Sequence, residues 1–110
     1  MRIPGAERAV IEPEKIRDYL LSATHPVGRF KAAFFATLGY GPEDWELLRD
    51  AMLSMVHGDD ASAGEPTPYG VKYEVRGTLE GPSGRSAALV TVWIVLTDEA
   101  IPRFVTALPD

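Results

Sequence analysis

The sequence predicts an α+β domain: three N-terminal helices packed on one face of a C-terminal, three- to four-stranded antiparallel β-meander. Three observations predict it. Apolar residues recur at three- and four-residue spacing up to about residue 57, then at every second residue from Tyr69 onward. Glycine and proline clusters punctuate the segments where turns belong. The 110 residues suffice for one core and not two. The expected organisation is a single domain with a helical part at about 11–57, a mobile loop at about 58–68 and a meander at about 69–109.

Pro13 suits a first helical position, where its missing N–H costs nothing. A helix over 13–22 would turn Ile16, Tyr19 and Leu20 inward. Thr24 is placed to cap a second helix with Pro26 in its first turn. Val27, Phe30, Phe34 and Leu38 would be its buried stripe, and Gly39 its stop. Gly41-Pro42 opens a third helix. Glu43, Asp44 and Glu46 lie in its first turn, where the helix dipole favours acids. Trp45, Leu48, Met52, Met55 and Val56 would form its inner stripe, with Gly58 at its end.

The following loop is rich in Gly, Ala, Ser, Asp and Pro. In the first strand Val71, Tyr73, Val75 and Leu79 alternate with Lys72, Glu74, Arg76 and Thr78. Gly81-Pro82-Ser83-Gly84 is a tight turn. A second strand runs over about 85–96, and a third over 103–108 after a turn at 98–102.

Composition narrows the function classes. There is no cysteine, so a disulfide scaffold, a Cys-ligated zinc and a thiol nucleophile are excluded. Two histidines, His25 and His57, cannot build a multi-His metal site. No metal and no cofactor is expected, since no phosphate-loop or nucleophile-elbow pattern occurs. Asp59-Asp60 is a weak cation motif, and His57 reads as a helix C-terminal residue. No apolar run approaches the ~18–20 residues of a membrane span. The N-terminus lacks an apolar signal region. A cytoplasmic location is the default expectation, and export as a toxin module would leave no mark in these residues. The net charge of -5 is concentrated: residues 41–68 hold seven acids and one base. This argues against broad nucleic-acid binding and suggests either a solvated face or a patch for a basic partner.

A two- or four-residue loop at Pro82-Ser83 would pair Arg76 with Leu89, Glu74 with Thr91 and Lys72 with Trp93. Lys72, Glu74, Arg76, Thr78, Thr91 and Trp93 would then share the open face, since cross-strand partners point to one side. A three-residue loop would flip one strand. Such a face is either charge-paired and solvated or a platform for RNA, with cations for phosphates and Trp93 for bases. Before the second helix, Thr24-His25-Pro26-Val27-Gly28-Arg29-Phe30-Lys31 sets a histidine beside two bases at a helix start. His25 either caps that helix or moves protons in metal-free RNA cleavage.

The stretches IPGAERAVIEPEKIRDYLL, HPVGRFKAAFFATLGY, YGVKYEVRGTLEGPSGRSAALVTVWIV and PRFVTALP resemble, over nearly the full chain, a bacterial domain family of unknown function. The family is found as short standalone proteins, and its domain resembles C-terminal toxin modules of larger phage-related and secreted proteins. Its element order is similar to the barnase/EndoU/colicin/RelE nuclease group. In that group metal-independent ribonucleases place His, Lys, Arg and Thr or Tyr on the open sheet face and the preceding helices. The resemblance implies a His-x-x-Gly-x-x-Lys motif at His25, Gly28 and Lys31, strand positions at Arg85, Thr91 and Trp93, and a terminal motif at Thr106 and Pro109. The chain departs from that pattern at Leu108, where relatives often carry Tyr, and at Phe30, where some carry His.

The leading expectation is a toxin-type, metal-independent ribonuclease. Its catalytic residues would be His25, Lys31, Arg85, Thr91 and Thr106, with Arg29, Lys72, Arg76 and Trp93 binding substrate. That reading requires His25 to lie near the Thr91/Trp93 face. The alternative is a noncatalytic or assembly-associated module that binds a protein partner of immunity or toxin-associated type. An exposed third-strand edge would also allow a homodimer.

Overall fold

The structure, a computed structural model, describes residues 1–58 and 60–110. Asp59 of the Asp59-Asp60 pair therefore lies outside the described residues. Among the described residues the architecture is the expected one, helices first and then an antiparallel sheet. A helical turn at Pro13–Lys15 runs on as a π-helix at Ile16–Leu20, and together these form α1. Helix α2 spans Gly28–Thr37, and α3 spans Trp45–Val56 behind a 3-10 turn at Pro42–Asp44. The strands are β1 (Ala61–Ala63), β2 (Gly70–Glu80), β3 (Ser86–Leu96) and β4 (Pro102–Pro109), in the sheet order β1-β2-β3-β4. Among the described residues no helix is long and apolar enough to cross a membrane.

Part of the expected loop is strand β1, which pairs Ala61–Ala63 with Tyr73–Val75. Its small residues have weak strand propensity, so pairing with β2 holds it in place. The β4 edge is not fully open either. Val10 donates to the Pro102 carbonyl at 2.9 Å and accepts from the Phe104 N–H at 3.0 Å, so the N-terminal segment covers the start of that edge.

The expected strand register is corrected by one residue. Glu80 pairs with Ser86, leaving a five-residue loop at 81–85, and Val75 faces Thr91 while Tyr73 faces Trp93. A one-residue slip turns every side chain of one strand to the other face. Thr91 and Trp93 therefore leave the open face and are both 0% exposed. Val90, Val92 and Ile94 pair with Arg76, Glu74 and Lys72 instead. The reason lies in the two faces of β3: one offers Leu89, Trp93 and Val95, the other Val90, Val92, Ile94 and Leu96. Burying the face with Trp removes more apolar area from water. Trp93 packs edge-to-face on Phe104 with ring centroids 5.3 Å apart. Its indole N–H donates to the Thr91 hydroxyl at 2.8 Å, which satisfies the one polar atom the ring brings inside.

The stripe expected on α2 is also shifted. Gly28, Phe35 and Leu38 are buried, whereas Val27 is 56% and Phe30 68% exposed. On α3, Leu48, Met52 and Val56 point inward as the spacing predicts.

Candidate functional site

The chemistry-bearing residues gather where α1 and α2 meet β4. The Lys31 ammonium donates to the Tyr19 hydroxyl at 2.7 Å and to the Thr106 hydroxyl at 2.6 Å. The two hydroxyls are 3.3 Å apart. Lys15, four residues before Tyr19 and so on the same helical side, reaches the Val105 carbonyl at 3.5 Å. The His25 ring meets the Tyr19 ring edge-on at 5.0 Å. Lys15, Tyr19, His25 and Thr106 line an open groove of about 680 Å³, within the range of small-molecule sites.

Local features of the chain set this geometry. Tyr19 lies in the π-helical part of α1, a distortion often seen at functional sites. Gly28 lets α2 approach α1 closely, since a Cβ there would overlap the Tyr19 carbonyl. That approach brings Lys31 within reach of Tyr19. On β4 the register shifts at Val92/Trp93, where Val105 is the extra residue before Thr106.

Burial opposes ionisation of the Tyr19 phenol. The hydrogen bonds from Lys31 and Thr106 and the charges of Lys31 and Lys15 outweigh it, and together they hold the phenol below its ordinary value of 10.0. The phenol lines the groove and touches an ammonium and a second hydroxyl.

His25 plays a different part from the one expected of a free base. Its Nδ1 accepts from the Gly28 N–H at 2.9 Å and the Val27 N–H at 3.1 Å, so His25 caps α2 in place of Thr24. Thr24 instead approaches the Ser22 hydroxyl at 3.3 Å. A neutral imidazole that accepts at Nδ1 carries its proton at Nε2 and offers the groove a donor.

Three of the five residues expected to be catalytic therefore come together: His25, Lys31 and Thr106. The other two do not join them. Thr91 is in the core beside Trp93. Arg85 is exposed in the β2–β3 turn, which contacts the far end of α2 through the Ser83 N–H and the Leu38 carbonyl at 3.1 Å. The expected binding residues also scatter. Trp93 is buried, and Arg29 lies over the exposed Phe30 ring at 4.7 Å. Arg76 pairs with Glu74 at 2.9 Å and Asp110 at 3.5 Å on the open face, where Lys72 also stands. That face is charge-paired rather than basic. Tyr19 and Lys15 are the site residues that periodicity missed, because the spacing assigned Tyr19 to the core stripe. Their i,i+4 relation was the available signal.

Residues 2–110 match the sequence model of a family described as domain of unknown function (DUF6883). No curated protein matches the chain. Among solved structures, a chain from a contact-dependent growth inhibition toxin–immunity protein complex of Klebsiella pneumoniae 342 is similar. It superposes with a TM-score of 0.75 at 18% identity, covering 93% of this chain and 100% of its own. At that identity the likeness is one of fold.

Proposed function

The chain belongs to the DUF6883 family, and on that footing we propose that it is a toxin-type, metal-independent ribonuclease with its working groups at Tyr19, Lys31 and Thr106. One observation carries the reading: a single ammonium holds two hydroxyls at 2.7 and 2.6 Å on the wall of an open groove. The phenol with lowered proton affinity is the general base. The Tyr19 phenolate takes the proton of a ribose 2′-hydroxyl. The freed oxygen attacks phosphorus, and the bond to the 5′ oxygen breaks. The leaving oxygen receives a proton from the Lys15 ammonium, and the product is a 2′,3′-cyclic phosphate. The His25 Nε2–H donates a hydrogen bond to a phosphate oxygen, and Lys31 and Thr106 support the phenolate charge. The fold likeness to a chain from a toxin–immunity complex is in keeping with a toxin-type role.

The test is cleavage of a mixed tRNA and mRNA pool in EDTA by the wild-type protein and by Tyr19→Phe. Cleavage that is lost in Tyr19→Phe is the expected result. Equal cleavage by both proteins would remove Tyr19 from the mechanism.

A second reading is a noncatalytic module that binds a protein partner. The charge-paired sheet face favours it, since Arg76 is engaged by Glu74 and Asp110 and no continuous basic surface spans the strands among the described residues. Absence of cleavage at micromolar protein, followed by capture of a specific partner, would select this reading.

A further inference from the structure

The groove is not lined as a plain phosphate channel would be. Beside Lys15, Tyr19, His25 and Thr106 it carries three carboxylates, Glu12, Glu14 and Asp18. Glu12 lies 3.8 Å from the Arg103 guanidinium, which Glu99 holds more closely at 2.7 Å. Among the described residues, Glu14 and Asp18 lie within ion-pair distance of no base. Lys15, which sits between them in sequence, turns to the Val105 carbonyl instead. The groove thus offers the Tyr19 and Thr106 hydroxyls, an imidazole N–H and the Lys15 ammonium, and beside them on α1 two unpaired, acceptor-only groups. A ligand that fits both sets brings phosphate to the first and N–H donors to the second.

We propose that Glu14 and Asp18 read the base of the RNA and select guanine at the cleavage site, an inference that rests on the ribonuclease reading above. A carboxylate beside an RNA backbone is repelled by phosphate, so it gains only from the donors on a base edge. Single-stranded RNA exposes those Watson–Crick edges to protein groups. Guanine presents N1–H and N2–H side by side, matching the two oxygens of one carboxylate. Uracil presents one N–H between two carbonyl oxygens, which face a carboxylate unfavourably. Glu14 and Asp18 are four residues apart, so they share one side of α1. Asp18 directly precedes Tyr19, which places the base wall next to the proposed base catalyst.

The experiment compares wild-type protein with Glu14→Gln/Asp18→Asn on uridine-tract oligoribonucleotides, with or without one guanosine. Both side chains belong to exposed residues, so the variant retains the fold. The expected result is wild-type cleavage at the guanosine about tenfold faster than in the plain tract. The variant loses that preference and cleaves the plain tract no more slowly than the wild type, since two charges that repel phosphate are gone. A guanosine preference that survives in the variant, or is absent from the wild type, overturns the assignment. If the wild type cleaves neither oligonucleotide, the ribonuclease reading fails by itself. Equilibrium binding of guanosine 3′-monophosphate against uridine 3′-monophosphate then decides the inference. Guanosine-selective binding abolished by the substitutions upholds it, and equal binding of the two nucleotides overturns it.

Discussion

The Lys31 ammonium and the Tyr19 hydroxyl are 2.7 Å apart, and this contact ties α2 to the π-helical end of α1. It also brings in β4, because the same ammonium reaches Thr106 at 2.6 Å. Two consecutive helices and the last strand thus meet at one charged nitrogen. Lys31→Met would remove the donor common to both hydroxyls. Any RNA cleavage should fall about 100-fold or more, as expected for loss of support to a general base. The Tyr19 phenol should titrate closer to its ordinary value of 10.0, which ultraviolet absorbance of tyrosinate against pH reads directly.

The direction of that shift has a consequence for stability. Tyr19 ionises more readily in the folded protein than in the unfolded chain. Its contribution to stability is fully present above the unfolded value of 10.0 and is lost as pH falls through the lowered folded value. The difference in unfolding free energy between wild type and Tyr19→Phe should therefore change with pH in that alkaline window, with the wild type gaining as pH rises. Urea unfolding at a series of pH values measures it. A pH-independent difference would mean that the phenol is not shifted.

His25 separates a structural role from a chemical one. Its Nδ1 caps α2, so His25→Ala should cost about 0.5–2 kcal/mol of stability. Asn is a good capping residue, and His25→Asn should recover most of that loss. Thermal denaturation of the three proteins distinguishes this account from one in which His25 is merely solvated.

The pair Thr91 and Trp93 makes the opposite case. Their hydrogen bond is buried, and Thr91→Val would leave the indole N–H without its partner. A loss of about 1–3 kcal/mol is expected, with RNA cleavage unchanged once the remaining folded fraction is taken into account. A large loss of cleavage in folded Thr91→Val would return Thr91 to the site.

These contrasts show what was legible in the sequence. The change of apolar period at Tyr69 locates the passage from helices to strands, and the inner stripe of α3 follows directly from its spacing. His25, Gly28 and Lys31 were recognisable because a short motif carries them, and Thr106 because it stands in the terminal strand motif. The register was not legible. Gly81-Pro82-Ser83-Gly84 marks a turn but not whether the loop has an odd or even number of residues. That parity decides whether Thr91 and Trp93 face water or the core. Tyr19 was hidden for a related reason: helical periodicity assumes regular α geometry, and α1 passes into a π-helix at Ile16. Val27 and Phe30 were misplaced because the close contact at Gly28 turns another side of α2 inward.

The most direct test of the central claim is cleavage of a mixed RNA pool in EDTA by wild type, Tyr19→Phe and His25→Asn, each first shown to be folded. The account predicts cleavage by the wild type, a drop of about 100-fold or more in Tyr19→Phe and a much smaller drop in His25→Asn. Full cleavage by folded Tyr19→Phe, with loss confined to His25→Asn, would contradict it and make the histidine the proton-transfer group.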